Sequence, residues 1–341
     1  MDHVAIDLGG TESQICVRGP DGKVLEEIRW GTRRLAAYLK KRPPSRVILE
    51  TSTEAFRIAD AARELGHDVR VVPATLVPSL GVGARGVKTD RRDAQVLSEV
   101  SSRIELPSVH IPTEISRTWK STCTARESLV SARTQLVNTV RGWTRSQLLS
   151  IRSGSLCTFP DRVRKAAIAS SIGLPEFIES VLQVIATLND RIAFADKQLK
   201  DLAIEHPVCE RLMTIPGIGP VTAVRFVAAI DRVDRFRNAH ALECYLGLVP
   251  GEDSSSKRQR RTAITKAGPP QVRWALGQAA WVLRQKYKSD PLALWAAEVE
   301  KRRGKMIATT ALSRRLAGVM FAIWRDGTRY EPTRHRPPTP L

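Results

Sequence analysis

The stretch HVAIDLGGTESQICVRGPDGKVLEEIRW, residues 3–30, decides the fold of the first part of the chain. Runs of apolar and β-branched residues predict three short strands, at residues 3–8, 13–18 and 24–30. A Pro-Asp-Gly sequence at residues 20–22 predicts the turn between the second strand and the third. Three successive strands joined by short connections predict a β-meander.

After the meander, helical and strand patterns alternate. The sequence predicts helices at 32–41 and 54–66, strands at 46–50 and 68–73, and a further helix that begins at Asp90. The order of three strands, helix, strand, helix, strand, helix is typical of an α/β sandwich of the ribonuclease H kind. We therefore expect an α/β fold for the first domain.

The rest of the chain predicts mainly helices. Residues 114–150 predict one long helix, and apolar residues at heptad spacing over 178–202 predict a second. These two helices can pack on each other within one chain, or they can form an oligomerising coiled coil, and both interpretations stay open. The Pro-Gly-Ile-Gly-Pro sequence at 216–220 predicts a helix-hairpin-helix, whose backbone N–H groups can approach a phosphate. The alternative is a glycine turn that only joins two helices.

These patterns predict four segments. We expect a catalytic α/β domain at residues 1–108, a helical coiled-coil region at 109–206, a C-terminal domain at 207–330 and a loose Pro-rich tail at 331–341.

The composition indicates a polyanionic partner. Lys and Arg number 54 against 35 Asp and Glu, which gives a formal net charge of +19. No apolar stretch approaches the ~18 residues of a membrane span, so we expect no membrane partner. The five cysteines include no Cys-x-x-Cys pair, which argues against a zinc site and a disulfide framework. A reduced, cytoplasmic setting follows as the expectation.

Four acidic residues stand at positions suited to a metal site. Asp7 ends the first predicted strand and Glu50 the fourth, and these strands are neighbours in a ribonuclease H sheet. Asp90 and Asp93 share a helix face because they are three residues apart. Together the four can hold one or two Mg²⁺ (or Mn²⁺) ions that act on a phosphate backbone. Taken singly, Asp90 can be a helix N-cap, Asp93 a partner of the helix dipole and Glu50 a solvated strand end.

The glycine stretch AIDLGGT, residues 5–11, allows a competing interpretation. It resembles the first phosphate loop of actin-related sugar kinases. Those kinases need a second such loop and an adenosine-binding glycine pair, and neither is visible in this sequence. A third hypothesis is a protein that binds nucleic acid without catalysis.

Three consecutive serines at residues 254–256 precede the basic run Lys-Arg-Gln-Arg-Arg at 257–261. They can form a polar loop beside a basic patch. Alternatively, a serine hydroxyl can attack a phosphodiester and form a phosphoseryl intermediate, with cations stabilising the transition state.

The motifs AIDLGG, VILET, KTDRRDAQVL, IPGIGPVTA, YLGLVP, the serine run and ITKAG occur in the order found in one family. In this the chain resembles DEDD-type, RuvC-like transposases of the insertion-sequence family numbered one hundred and ten, relatives of the Piv invertases. The resemblance implies that Asp7, Glu50, Asp90 and Asp93 bind the metal. It implies Ser255 as the nucleophile, with Ser254 as the next choice. Two departures are the sequence Thr-Ser-Thr after Glu50 and an aspartate before the serines.

The resemblance also implies the partners. A structured bridge RNA would pair with donor and target DNA, and dimers would assemble into tetramers in which the acids of one subunit meet the serine of another. The expected location is the bacterial cytoplasm, on the nucleoid. The residues that we expect to contact nucleic acid are basic residues and glycines: Lys88, Arg91, Arg92, Gly217, Gly219, Lys257, Arg258, Arg260, Arg261 and Lys266.

Overall fold

The structure is a computed structural model that describes residues 1–77, 89–170, 172–253 and 261–335. The chain divides into two compact units, Met1–Pro112 and Thr113–Leu341. The first unit is mixed α/β, and the second is mainly helical. The predicted division of the second unit into a coiled-coil region and a C-terminal domain stays a prediction.

Five strands within the described residues of the first unit form one sheet, in the order β3-β2-β1-β4-β5. Their bounds are β1 His3–Asp7, β2 Glu12–Arg18, β3 Val24–Gly31, β4 Arg46–Glu50 and β5 Asp68–Val72. β1, β2 and β3 pair antiparallel, whereas β1, β4 and β5 pair parallel. The predicted meander and the two later strands are thus confirmed. The mixed sheet is consistent with a RuvC-like domain.

Helices cover both faces of this sheet: α1 Leu35–Lys40, α2 Ala55–Glu64 and α3 Asp90–Arg103. Side chains alternate between the faces along each strand. Val4 and Ile6 of β1 pack in one hydrophobic cluster with residues of α1 and α2. Ala5 of β1 and Ile48 of β4 pack in another cluster with Leu97 of α3. α3 therefore covers the face to which the odd-numbered residues of β1 belong.

The helices of the second unit pack in two hydrophobic clusters, one of them large. Their bounds are α4 Glu114–Ser146, α5 Phe159–Ala169, α6 Glu176–Glu205, α7 Pro207–Leu212, α8 Pro220–Ile230, α9 Ala239–Tyr245, α10 Pro270–Lys286, α11 Pro291–Arg303 and α12 Lys305–Asp326. Two short strands, β6 Pro250–Glu252 and β7 Arg261–Ile264, pair antiparallel. The sequence did not predict these strands. A short 3₁₀ turn at Pro332–His335 lies in the predicted tail, and residues 336–341 lie outside the described residues.

The long helices α4 and α6 pack on each other within the chain. Ile178, Leu182 and Ile185 of α6 share a buried cluster with Val137 and Val140 of α4. The buried positions differ from the predicted heptad set, whose members were Ile178, Val181, Ile185, Leu188, Ile192, Ala195, Leu199 and Leu202. Leu182 and Ala203 are buried outside that set, whereas Val181, Leu188 and Leu202 are half-buried. A straight helix turns every 3.6 residues, so its contact face drifts away from a strict seven-residue repeat. Self-association stays a prediction.

α12 is a core helix of the second unit. It is the one helix in the described part of the chain that is long and apolar enough to cross a membrane. Half of its apolar stretch, however, is buried inside the protein. The sequence-based expectation that no apolar stretch reaches this length was therefore wrong for α12. Leu312, Leu316 and Met320 are fully buried and pack in the cluster that contains Phe226. The helix is apolar because it lies in a protein core, and a core helix can be as long and as apolar as a membrane-spanning one.

Candidate active site

Asp7 and Glu50 lie side by side at the carboxyl edge of the sheet. β1 and β4 pair parallel with Ile6 opposite Leu49, so the next residue of each strand is a carboxylate. Neighbouring strands are about 4.8 Å apart. Because residues two apart point to the same face, Asp7 lies on the face that α3 covers, and so does Glu50.

The direction of α3 brings Asp93 to this edge. At the start of β1, the His3 Nδ1 atom lies 2.8 Å from the Ser101 hydroxyl near the end of α3. β1 rises about 13 Å from His3 to Asp7. α3 retraces about 12 Å from Ser101 back to Asp93. Because the two distances match, Asp93 is placed near the strand end that bears Asp7.

Contacts in the middle of α3 agree with this direction. Cys16 of β2, which pairs with Ala5, lies with its Sγ atom 3.3 Å from the Ser98 hydroxyl. Leu97 is buried against the sheet, and Asp93, one turn earlier, is only 3% exposed. A carboxylate at such a depth costs free energy. Buried carboxylates are rare unless they are paired or bind a metal, so this depth makes Asp93 a candidate functional group.

Asp90 lies at the start of α3 and is exposed. It is not the N-cap, because Thr89 takes that role and its hydroxyl accepts a hydrogen bond from the Arg92 backbone N–H at 3.3 Å. Asp90 and Asp93 both belong to the first helical turn, where negative charge interacts favourably with the helix dipole. The dipole interpretation of Asp93 is therefore compatible with the metal role that the sequence predicts for it.

The side chains of the four acids are not arranged as a complete metal-binding site. Within residues 1–77, 89–170, 172–253 and 261–335, no group of three or more His, Cys, Asp or Glu side chains is close enough to hold a metal ion. The sheet and α3 gather the backbone positions of Asp7, Glu50 and Asp93 at one edge. The donor set fits a divalent ion in its chemistry, because carboxylate oxygens are the ligands that Mg²⁺ and Mn²⁺ prefer.

Arg91 pairs with an acid of the sheet. Its Nε atom donates a hydrogen bond to Glu27 of β3 at 2.9 Å, and the Gln95 amide donates to the other oxygen of the same carboxylate. The hydrogen bond from Gln95, followed by that from Arg91, lowers the pKa of Glu27. Arg91 therefore stabilises the packing of α3 on β3, and its expected phosphate contact stays a prediction. Arg92 is exposed, and Lys88 lies outside the described residues.

The glycine stretch after β1 forms a tight turn. A Cβ atom on Gly9 would lie 2.2 Å from the Glu12 backbone oxygen. The Thr32 hydroxyl donates to the Gly9 backbone oxygen at 2.7 Å, and it also lies 2.8 Å from the Ser13 hydroxyl. These contacts give the glycine a structural role in joining β1 to β2, so the kinase interpretation of this loop is not favoured.

Two motifs of the second unit, YLGLVP and ITKAG, meet backbone to backbone. A Cβ atom on Gly268 would lie 1.9 Å from the Tyr245 backbone oxygen, so only glycine fits there. The Lys266 N–H donates to the Gly247 backbone oxygen at 3.1 Å, and the Thr265 N–H donates to that of Val249 at 2.9 Å. The motifs therefore act as one structural piece that leads into β6 and out of β7.

This piece holds the residues that flank the serine run. Glu252 of β6 pairs with Arg261 of β7, so residues on the two sides of the run lie next to each other. Lys266 is exposed and has φ +57°, a backbone conformation that few non-glycine residues adopt. The predicted residues Ser254, Ser255, Ser256, Lys257, Arg258 and Arg260 lie outside the described residues.

The glycines of the predicted hairpin differ in their surroundings. Gly217 has φ +88°, and a Cβ atom there would lie 2.8 Å from the Ala279 backbone oxygen of α10. Glycine at position 217 thus has a packing reason. At Gly219, by contrast, an added Cβ atom would have no heavy atom within 4 Å. The phosphate contacts of both glycines stay predictions.

Comparisons with known proteins identify a family. A family model described as Transposase, of the DEDD type found in IS110 elements, matches residues 4–146. A second, described as Transposase IS116/IS110/IS902 family, matches residues 209–294. A putative transposase y4qE of Sinorhizobium fredii (strain NBRC 101917 / NGR234) is 30% identical over 315 residues, which cover 81% of this chain and 74% of the relative. The chain belongs to the IS116/IS110/IS902 transposase family.

Other relatives of this transposase extend over most of its length. A probable family 20 transposase of Pseudomonas aeruginosa is 28% identical over 86% of this chain and 88% of the relative. The transposase for insertion sequence element IS1328 of Yersinia enterocolitica is 25% identical over 95% and 97%. The enzyme is therefore a transposase that acts on DNA, and its DEDD domain implies dependence on a divalent metal.

Sequence reasoning missed several residues that shape the transposase. The Thr89 cap was detectable, because threonine directly before a helical pattern is a preferred N-cap. Glu27, which holds Arg91 and Gln95, gave no local signal, since its partners lie 64 and 68 residues away. Arg225 gave none either, because it stands in an apolar helix and pairs with a glutamate 98 residues away.

Proposed function

We propose that this transposase cuts and rejoins DNA strands through a phosphoseryl intermediate, with Asp7, Glu50, Asp90 and Asp93 holding divalent ions at the sheet edge. One observation carries the proposal. The parallel register of β1 and β4 sets Asp7 beside Glu50, and the antiparallel course of α3 brings the buried Asp93 to the same edge.

The reaction is a pair of transesterifications. The serine Oγ atom attacks a phosphorus of the DNA backbone, an O–P bond forms, and the bond from phosphorus to one deoxyribose oxygen breaks. The serine gives up its proton, and the departing deoxyribose oxygen takes one up, through solvent. A hydroxyl of a second DNA strand then attacks the phosphoserine and regenerates the serine. Each step exchanges one phosphoester for another, so no external energy source is needed.

The protein's residues divide the work. Asp7 and Glu50 would hold the metal from a rigid sheet edge, and Asp90 and Asp93 would hold it from the first turn of α3, where Asp90 is exposed. When bound, Mg²⁺ or Mn²⁺ would supply charge that stabilises the attacking and departing oxygens. Lys266 and the basic run after the serines supply further positive charge around a transition state that is rich in negative charge.

We assign the nucleophile to the serine run, with Ser255 first and Ser254 next. The support is indirect: β6 and β7 fix the residues on both sides of the run, as a catalytic loop on a rigid base requires. The four acids belong to the first unit and the serines to the second. A site composed of two subunits would unite them, which is the assembly of dimers into tetramers that the family resemblance implies.

We further propose that a bridge RNA selects the donor and target DNA by base pairing, in the cytoplasm and on the nucleoid. Its support is the resemblance together with the net charge of +19, which suits a large polyanionic assembly. The turn between α7 and α8 would contact a phosphate backbone as a helix-hairpin-helix, with Gly219 as its open position.

The test compares alanine variants in a strand-transfer assay with purified protein, guide RNA and donor and target DNA. Asp7→Ala, Asp93→Ala and Ser255→Ala should each abolish strand transfer and leave nucleic-acid binding intact. Glu99→Ala is the matched control, because Glu99 is also on α3 but pairs with Arg103. Full strand transfer by the Asp93 variant would refute the metal site, whereas full transfer by the Ser255 variant would move the nucleophile to a neighbouring serine.

A further inference from the structure

A groove of about 810 Å³ lies between α4, α8 and α10 of the second unit, and none of the four acids is among the residues that line it. This volume falls within the ~300–1,000 Å³ of sites that hold small organic groups. We propose that this groove, the α4–α10 groove, binds an unpaired base of a single nucleic-acid strand, with the base stacked on Trp274. The proposal rests on the proposed function only in that the ligand is the kind of polymer on which a transposase acts.

Trp274 supplies a stacking surface. Its side chain lines the groove and is 56% exposed, so a large aromatic surface is open to a ligand there. An exposed indole in a groove is how proteins hold unpaired bases, because every base has a π face that stacks on it. Base pairs already stacked in a duplex do not offer that face, so the site should select single strands.

The α4 wall of the groove offers hydrogen-bonding groups beside the apolar side chain of Val130. Five uncharged polar side chains of α4 line it: Ser131, Thr134, Gln135, Asn138 and Thr139. Hydroxyl and amide groups match the mixed donors and acceptors on the edges of bases. A second copy of this chain would instead favour an apolar centre, as protein interfaces have.

Arg225 of α8 forms a buried, ion-paired part of the groove wall. It is 6% exposed, and its guanidinium donates to the Glu127 carboxylate at 2.8 Å and to the Cys123 backbone oxygen at 3.3 Å. Its Nε–H has no hydrogen-bond acceptor among the described residues. That atom is itself buried, so a base in the groove does not reach it, and Arg225 contributes a fixed, ion-paired part of the wall.

The charge of the walls favours a polyanion. α4 carries six basic residues against two acidic ones, α10 carries three against none, and α8 carries one against none. Only Glu127 among the residues that line the groove is acidic, and it is paired with Arg225. A nucleic-acid strand can therefore follow the basic helices while one base enters the groove.

The test measures binding by fluorescence anisotropy of the full chain to a labelled oligothymidylate, an oligouridylate of equal length and a duplex of mixed sequence. Trp274→Ala should weaken single-strand binding by about fivefold to about a hundredfold, the range for loss of one base–aromatic stack. Trp274→Phe should keep most of the affinity. Whether the oligothymidylate or the oligouridylate shows the larger loss tells whether the strand is DNA or RNA.

Trp281→Ala is the matched control. Trp281 lies seven residues further along α10 and is 38% exposed, but it does not line the groove and Lys305 covers its ring at 4.4 Å from the centroid. Its loss should leave single-strand affinity unchanged.

Wild-type affinity of the Trp274→Ala variant, or equal losses in both variants, would overturn the proposal. So would a Trp274→Ala variant whose only defect is in self-association, since that would make the groove a contact between copies. The assay measures binding and not strand transfer. A negative result would therefore overturn the base-binding groove without affecting the proposed roles of the acids and the serine, and loss of those roles would leave the groove proposal standing.

Discussion

The ion pair between Arg225 and Glu127 yields an asymmetric prediction for stability. The Arg225 side chain is 6% exposed, whereas that of Glu127 is 36% exposed. Glu127→Ala leaves a guanidinium in the interior with its main partner removed. Arg225→Met leaves a carboxylate that water already reaches, and the methionine fills much of the space of the arginine stem. The first change should therefore destabilise the second unit more than the second change.

The expected magnitudes follow from these surroundings. Removing one partner of a buried ion pair costs about 3–5 kcal/mol. We expect the lower end, about 3 kcal/mol, for Glu127→Ala, because the Cys123 backbone oxygen still accepts a hydrogen bond from Arg225. For Arg225→Met we expect about 1 kcal/mol, since the remaining carboxylate is partly hydrated.

Urea unfolding followed by tryptophan fluorescence measures the difference. Trp30 is the only one of the seven tryptophans that precedes residue 113, so the signal reports mainly on the second unit. At a slope of about 3 kcal/mol per molar urea, Glu127→Ala should lower the midpoint by about 1 M. Equal losses in the two variants, or a larger loss in Arg225→Met, would refute the reasoning and show that packing of the arginine stem outweighs its charge.

Three further predictions concern other parts of the molecule. Gly268→Ala should destabilise the second unit by about 1–3 kcal/mol in the same urea assay, because its Cβ would meet the Tyr245 backbone oxygen; the control Gly277→Ala, in open space within α10, should instead stabilise it by about 0.5–1 kcal/mol. The lowered pKa of Glu27 means that its contribution to stability is complete above its ordinary pKa of 4.5 and is lost as pH falls through the folded value, so the thermal-stability advantage of wild type over Glu27→Gln should shrink in acid; an advantage that grows in acid would contradict it. Affinity for nucleic acid should fall steeply with salt in a titration, because Lys and Arg contacts release counterions, and a flat response would count against backbone contacts.

The sequence predicted the first unit closely because its signals are local. The predicted strands of the sheet are apolar runs, and α3 begins at Asp90 as the sequence predicts. The order of the elements then implied which strands are neighbours. The positions of Asp7 and Glu50 followed without any knowledge of side-chain contacts.

The features that escaped prediction depend on partners far along the chain. The contact between His3 and Ser101, which fixes the direction of α3, joins residues 98 positions apart. The choice of buried face on α6 depended on the shape of α4, which a heptad count does not contain. β6 and β7 are only three and four residues long, too short for the alternation that reveals a strand.

The most direct test of the proposed active site is strand transfer by the Asp93→Asn variant, measured with Mg²⁺ or Mn²⁺ beside its affinity for the same nucleic acids. Asparagine keeps the size of the aspartate, so the packing of α3 on the sheet should survive, while one charged ligand is lost. We predict that the variant binds nucleic acid as the wild type does and neither cuts nor transfers strands with either metal. Wild-type strand transfer by this variant would contradict the assignment of the carboxyl edge of the sheet as the catalytic site.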